Sequence, residues 1–176
     1  MTDERVTARS EIAQVLYRYC RGMDRMDADL TRRCFLTDAQ LDYGTLFAGT
    51  AQEFIDWLWP VHAAMVGHTH SLSNILVEVD GERAASEAYV QTTLRCRDAD
   101  EVFDLVSTGR YLDSWVRDSD AWRIARHCYL GDLATVRPVQ MRDITHLFDP
   151  MQGKPVVRGR RDTGDASYVV LDLTGS

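Results

Sequence analysis

The chain has 176 residues, of which 45% are hydrophobic and 27% are charged, a composition typical of one globular domain with a substantial core. Its net charge of −7 argues against nucleic acid or an anionic membrane surface as the partner. No apolar run reaches the roughly 18–20 residues of a membrane span, and the acidic, polar start of the chain is unlike a secretory signal. We therefore expect a cytoplasmic protein.

Apolar residues recur at helical spacing over residues 4–21, which predicts an amphipathic first helix. Gly22 suits the C-terminus of that helix, and Asp27 suits the N-cap of a short second helix. Residues 39–43 are typical of a short strand. Residues 50–53 (TAQE) form a capping box that predicts the start of a third helix.

Four strands follow without an intervening helix. Short turns rich in Asp, Gly and Ser separate the segments, and this spacing favours an antiparallel meander. Helices followed by a curved sheet make an α+β fold. The strands are predicted over residues 69–79, 83–97, 102–117 and 121–135.

The chain after the last strand has a different composition. We divide the sequence into a domain of residues 1–135 and a C-terminal extension of residues 136–176, which holds three prolines and the basic stretch 158–161 (RGRR). Its apolar run 168–171 (YVVL) predicts either a late strand in a loosely held extension, or an arm that packs on a neighbouring subunit or covers a pocket mouth.

The cysteines are Cys20, Cys34, Cys96 and Cys128. None is spaced as C-x-x-C, and each falls in a predicted helix or strand. They are typical of small core residues in a reduced protein.

Two residues that are 46 positions apart, Asp24 and His70, carry the strongest indication of chemistry. Asp24 falls where the first helix should end, and His70 falls at the start of a strand. A histidine works as a general base near neutral pH when a carboxylate fixes its tautomer and stabilises its charged form. The pair therefore predicts acid–base catalysis if the fold brings it together beside an apolar pocket.

Four segments resemble those of a SnoaL-like member of the nuclear transport factor two-like superfamily. They are residues 17–24 (YRYCRGMD), 70–74 (HSLSN), 109–115 (GRYLDSW) and 122–126 (WRIAR). The resemblance extends over roughly residues 5–135. It implies a cone-shaped α+β barrel, with three N-terminal helices packed on a curved antiparallel or mixed sheet.

Within that superfamily the sequence is most similar to scytalone dehydratase, bile acid 7α-dehydratase and hexachlorocyclohexane dehydrochlorinase, which are cofactor-free lyases. The resemblance implies that His70 removes a proton, that Asp24 orients it, and that Tyr19 is a third catalytic residue. It implies no cofactor and a homo-oligomer, with a trimer favoured over a dimer. The second histidine of scytalone dehydratase has no clear counterpart here.

Other aromatic and polar residues are candidates for binding a hydrophobic cyclic or aromatic substrate. Trp57 and Trp59 point to nearly opposite sides of the third helix, so at most one should line a pocket. Strand alternation places Asn74 on the same face as His70, and an arginine on a central strand needs an anionic partner. The predicted substrate-binding residues are Tyr43, Trp59, Asn74, Arg110 and His127.

Three alternatives stay open at this point. His68 and His70 could form a metal-binding pair, which would need a third ligand such as Glu78 or His127; we expect no metal. The chain could be a non-catalytic binding or assembly domain, such as one similar to the small subunit of ring-hydroxylating dioxygenases, with a filled cone. It could also be a cofactor-free isomerase or cyclase on the same scaffold.

Overall fold

The computed structural model describes residues 2–140 and 159–172. The helices are α1 Thr2–Asp24, α2 Ala28–Arg32, α3 Ala51–Ala63 and α4 Ala166–Leu171. The strands are β1 Phe35–Asp42, β2 Ala48–Thr50, β3 Gly67–Asp80, β4 Arg83–Asp98, β5 Glu101–Asp118 and β6 Ala121–Pro138.

The six strands form one mixed, curved and unclosed sheet in the order β2-β1-β6-β5-β4-β3. Strands β3 to β6 pair with their chain neighbours in antiparallel fashion, as the meander predicted, whereas β1 pairs with β6 in parallel. The α+β class and the cone-like arrangement of helices on a curved sheet are thus confirmed. β6 continues to Pro138, slightly beyond the predicted end.

The core lies between α1 and the sheet. Ile12, Leu16 and Tyr19 of α1 are fully buried, and they recur at helical spacing on the face that meets Trp115 and Ile124 of the sheet. Burial of each such side chain stabilises the fold by about 1.5–3 kcal/mol. This face fixes how α1 rotates over the sheet, and therefore where its last residue, Asp24, lies.

Helix α1 continues two residues beyond the predicted stop at Gly22. Gly22 instead permits a close approach of α2, because an added Cβ would lie 2.4 Å from the Oγ1 atom of Thr31. The chain reverses at Met26, whose φ is 53°. Asp27 caps α2 as predicted, accepting a hydrogen bond from the Leu30 amide at 2.8 Å. The close approach of α2 at Gly22 and the cap at Asp27 place Asp24 at the end of α1, beside β3.

The structure differs from the sequence prediction at several elements. β1 begins at Phe35 rather than residue 39, and β2 was not predicted. The run Tyr168–Leu171 is part of a short helix rather than a strand, because Asp165 accepts a hydrogen bond from the Ser167 amide and so starts a helical turn. The capping box at the start of α3 is confirmed.

Part of the description of the extension rested on Pro150, Pro155 and Arg158. These three lie outside the described residues. Over the ranges that are described, no helix has the length and apolar character needed to cross a membrane.

Candidate active site

Asp24 and His70 are in direct contact, as the sequence suggested they should be. The His70 Nδ1 atom lies 2.7 Å from Asp24 Oδ1, and the His70 backbone N–H donates to Asp24 Oδ2 at 3.1 Å. The carboxylate therefore holds both the ring and the backbone of one residue. With the proton on Nδ1 directed at the carboxylate, the lone pair of the ring is on Nε2.

A cavity of about 310 Å³ opens beside this pair, and its lining is mostly apolar. The His70 side chain forms part of the wall and is only 5% exposed. Its Nε2 atom has no hydrogen-bond partner within the described parts of the chain, so it is free to accept a proton from a bound molecule. The cavity is lined by Met23, Tyr43, Leu46, Phe54, Trp57, Leu58, Val61, His62, Met65, His70, Thr92, Leu94, Leu105, Ser107, Tyr111 and Tyr129.

A second Asp–His pair lies behind the opposite wall. The His127 Nδ1 atom is 2.6 Å from Asp113 Oδ1, and both side chains are completely buried. The His127 Nε2 atom is 2.9 Å from the Tyr43 hydroxyl, which is in turn 2.7 Å from the Tyr19 hydroxyl. Ser86 donates to the other carboxylate oxygen of Asp113. These residues form one continuous hydrogen-bonded chain that reaches the cavity at Tyr43.

Phenol groups dominate the polar part of the cavity wall. Tyr43 is stacked between Phe54 and Tyr129, and burial raises the pKa of its hydroxyl well above the usual value. Burial likewise raises the pKa of Tyr111, whose hydroxyl has no hydrogen-bond partner among the residues described. Tyr129 bonds Ser107 at 2.6 Å. Because the phenols stay protonated, Tyr43 and Tyr111 can donate hydrogen bonds to a substrate oxygen.

Two further histidines lie beside His70 on the α3 side. Burial is the main reason why the pKa of His62 falls to about 3 and that of His68 is also lowered. The His68 Nε2 atom lies 2.9 Å from the Met23 carbonyl, and its Nδ1 atom lies 3.1 Å from Arg161 Nη1. A guanidinium donates only, so His68 Nδ1 accepts and Nε2–H donates to Met23. His68 is thus held neutral, and it ties β3 to the last turn of α1.

The C-terminal extension supplies this arginine. Arg161 also donates to the carbonyls of His62 and Met65 at the end of α3, at 3.0 and 2.9 Å. In this way the extension binds backbone carbonyls at and just beyond the end of α3.

The following turn and α4 pack on the end of α1. Arg25 lies 3.7 Å from Asp165, and the guanidinium of Arg21 lies 4.3 Å above the ring of Tyr168. Hydrogen bonds from Ser167 are the main reason why the pKa of Asp165 is below its usual range. Described residues of the extension therefore pack on the same chain, close to Asp24.

Several predicted site residues lie elsewhere. Trp57, not Trp59, lines the cavity, because it follows Phe54 by three positions on the same side of α3; the Trp59 indole instead donates to the Met26 carbonyl at 3.3 Å. Tyr19 is fully buried and reaches the cavity only through Tyr43. The Tyr19 hydroxyl therefore contacts Tyr43 and not the cavity itself, and its part in catalysis stays a prediction.

Asn74 and Arg110 lie away from the cavity, for reasons of strand geometry. Asn74 has a φ of 49° and lies where the β3–β4 register shifts. A bulge of this kind breaks the alternation on which the prediction relied, and Asn74 borders an outer groove instead. Arg110 points to the outer face of β5, where it pairs with Asp132 at 3.1 Å and Glu87 at 3.3 Å. The carboxylate partner was foreseen, but the pocket position was not.

His127 was predicted to contact substrate, yet it lies one layer behind the wall. It also cannot serve as the third ligand of a metal pair, since Asp113 and Tyr43 occupy both of its nitrogens. Glu78, the other candidate, faces solvent beside Arg9. Within residues 2–140 and 159–172, no group of three or more His, Cys, Asp or Glu side chains is arranged to hold a metal ion.

Sequence reasoning missed Asp113, Tyr111 and Arg161. The first two were visible in the segment 109–115, where strand alternation puts Tyr111, Asp113 and Trp115 on one face. All three are buried in the structure. Arg161 carried no local signal beyond its place in a basic stretch.

Comparison with known proteins agrees with this architecture. The SnoaL-like domain family matches residues 4–127 of the chain. An uncharacterized protein of Mycobacterium tuberculosis is 32% identical over 124 residues, which cover 69% of this chain and 83% of that protein.

Solved structures show the same fold. A protein of Novosphingobium aromaticivorans, provisionally named a scytalone dehydratase, superposes with a TM-score of 0.71 at 21% identity, covering 80% of this chain and 94% of that one. A hexachlorocyclohexane dehydrochlorinase of Novosphingobium barchaimii superposes with a TM-score of 0.69 at 14% identity, covering 90% and 99%. Since the family match spans most of the chain, and the fold agrees with it, the chain belongs to the SnoaL-like family.

Proposed function

We propose that the protein is a cofactor-independent lyase that removes a proton from a hydrophobic cyclic or aromatic substrate and eliminates a leaving group. One observation carries the proposal: Asp24 holds His70 at 2.7 Å while the ring forms part of the wall of an apolar cavity. In the alternative of a non-catalytic assembly domain, the cone would be filled and the two residues would be apart or solvated.

The proposed first step is transfer of a carbon-bound proton to His70 Nε2. The Asp24 carboxylate, fixed by two hydrogen bonds from His70, stabilises the imidazolium that forms. A positioned base of this kind contributes about 10²–10⁴-fold to the rate. A neighbouring carbonyl makes such a proton acidic enough for an imidazole base, so the substrate class we propose is an activated carbonyl compound.

The negative charge that develops on the carbonyl oxygen needs hydrogen-bond donors. Tyr111 is the phenol of the cavity wall that can supply one, because its hydroxyl has no partner among the described residues, whereas the Tyr43 hydroxyl is bonded to Tyr19 and His127. Donors placed in a water-poor site are effective because the surrounding medium screens little. Trp57, Phe54 and the aliphatic lining residues would hold the apolar body of the substrate.

The homotrimer expected from the resemblance is part of this proposal. Apolar side chains at the end of β6 and on α4 support a subunit contact, because they are largely exposed in the single chain; they are Leu133, Val136, Val169, Val170 and Leu171. Sedimentation equilibrium of the purified protein measures the number of subunits directly.

Deuterium exchange tests the base separately from the leaving group. 4-Phenylbutan-2-one has acidic protons beside its carbonyl but no leaving group, so proton abstraction appears as deuterium uptake in D₂O by NMR. We expect the wild type to accelerate the exchange and His70→Ala to lose this acceleration. Asp29→Ala, which alters an exposed carboxylate on α2, is the matched control and should behave as wild type. Equal exchange in the wild type and His70→Ala would refute the assigned base.

A further inference from the structure

The buried chain from Ser86 to Tyr19 has one proton for each of its hydrogen bonds when His127 is neutral. Ser86 and His127 Nδ1–H donate to Asp113, Tyr43 donates to His127 Nε2, and Tyr19 donates to Tyr43. In that state the Tyr43 proton is directed into the protein. It is not available to a molecule in the cavity.

One added proton changes the direction of this chain. If His127 is an imidazolium, its Nε2–H donates to the Tyr43 oxygen across the same 2.9 Å contact. Tyr43 can then direct its own proton to the cavity, which its ring lines. Asp113 provides the counter-charge within hydrogen-bond distance, so the buried imidazolium would be paired.

We propose that Asp113, His127 and Tyr43 form the proton-donating arm of the site, with Tyr43 as the catalytic acid and His127 as the residue that reloads it. This inference rests on the proposed function and extends it to the leaving group. A hydroxyl needs a proton to depart as water, whereas a halide does not. The substrate class is accordingly a β-hydroxy carbonyl compound, and the reaction is a dehydration.

The step balances in atoms and charge. His70 Nε2 takes the proton from the carbon beside the carbonyl, and the electron pair of that C–H bond becomes the new double bond as the C–O bond breaks. The departing oxygen takes the Tyr43 proton and leaves as water, while the His127 Nε2 proton moves to the Tyr43 oxygen. His70 ends charged and His127 ends neutral, and proton exchange with solvent restores both.

The surroundings of His127 favour this assignment. Titratable groups face it from α1, from the chain after β1 and from β5, and burial raises the pKa values of the phenols and the thiol among them. Among these described groups, Asp113 is the one placed to supply the counter-charge of an imidazolium. The facing groups are Tyr19, Cys20, Tyr43, Tyr111 and Asp113.

Nitrogen NMR of the histidine rings tests the proton store without any substrate. The ¹⁵N shifts of the two ring nitrogens distinguish an imidazolium from either neutral tautomer. We expect the His127 shifts to show an imidazolium under the conditions of turnover, and that state to be lost in Asp113→Asn. If Asp113→Asn does not fold, Tyr43→Phe takes its place, because it keeps the ring packing and removes the hydroxyl that contacts His127 Nε2. Shifts that show a neutral tautomer of His127 under the conditions of turnover overturn the proposal.

A pair of leaving groups tests the role of Tyr43 in turnover. The probes are 4-hydroxy-4-phenylbutan-2-one and its 4-chloro counterpart, which give the same absorbing enone. Tyr43→Phe should slow loss of water by about 10²-fold or more and loss of chloride by less than about 10-fold. Equal losses for both probes would show that Tyr43 only stabilises the enolate and would overturn its role as acid.

The two experiments distinguish a failure of this inference from a failure of the proposed function. If the wild type catalyses elimination from neither probe, that result counts against the lyase. The NMR experiment would still decide whether His127 stores a proton. His70→Ala should slow both eliminations alike. If the effect depends on the leaving group only in Tyr43→Phe, the two results together support His70 as the base and Tyr43 as the acid.

Discussion

The described part of the molecule contains two Asp–His pairs with nearly the same contact distance and opposite surroundings. Asp24 and His70 are 2.7 Å apart on the cavity wall, with one ring nitrogen open. Asp113 and His127 are 2.6 Å apart with no exposed surface and with both ring nitrogens bonded. The contact distance therefore does not identify the base. The unoccupied nitrogen beside the cavity is what supports His70 as the proposed base.

The two pairs also arise differently from the chain. Asp113 and His127 are direct partners in the β5–β6 register, so local sheet pairing brings them together. Asp24 and His70 meet only because the core packing of α1 places its last residue beside β3. The buried pair is part of the sheet itself, while the open pair depends on how a helix docks.

The largest difference should appear in stability. His127→Leu leaves the Asp113 carboxylate buried without its main partner, which should lower the free energy of unfolding by about 3–5 kcal/mol. His70→Leu leaves Asp24 16% exposed and still bonded to the backbone N–H of residue 70, so it should cost less, about 1–2 kcal/mol. Urea denaturation followed by circular dichroism measures both. Similar losses for the two variants would contradict the contrast between the pairs.

Asp24→Asn should affect the rate more than the stability. The amide keeps the size of the carboxylate but can present N–H to His70, which favours the wrong tautomer and removes the charge that stabilises the imidazolium. We expect proton abstraction to slow by about 10²-fold while binding of 4-phenylbutan-2-one changes little. Exchange rates at saturating and at low ketone concentration separate the two. A loss confined to binding would argue against Asp24 as the orienting group.

Much of the fold followed from periodicity and turn residues, because these express local physics. The strands β3 to β6 and the caps at Asp27 and Thr50 are examples. The prediction failed where tertiary packing decides. The parallel β1–β6 pairing and the close approach at Gly22 depend on contacts between distant segments, which no local pattern specifies.

The candidate site divides in the same way. Asp24 and His70 were predictable because a known family pattern marks them. Asn74 failed because one bulge reverses the alternation of β3, and the choice of Trp59 over Trp57 failed because the rotation of α3 is set by packing. The second Asp–His pair required strand register, which links Asp113 to His127 only once the sheet is built.

His62 offers a third kind of histidine for comparison, one that is kept neutral by burial. Its pKa is lowered to about 3 in the folded protein, against about 6.5 when unfolded. Below pH 6.5 the unfolded chain therefore binds a proton that the folded chain does not, so stability present above that pH is lost as the pH falls towards 3. His62→Gln should flatten this acid loss. The free energy of unfolding measured at several pH values checks it, and an unchanged slope would refute it.

The smallest expected effect concerns Arg161, which links the C-terminal extension to the open pair. Arg161→Ala removes a positive neighbour of His68 and three hydrogen bonds. The pKa of His68 should therefore rise, and stability should fall by about 1–2 kcal/mol. Arg160→Ala is the matched control, since among the described residues its side chain pairs with the exposed Asp162 and not with His68. Histidine NMR measures the pKa of His68 in both variants. An equal rise in the pKa of His68 in Arg160→Ala would mean that this pKa responds only to the net charge of the protein. A rise confined to Arg161→Ala would mean that the extension keeps His68 neutral and so holds the last turn of α1 through Met23.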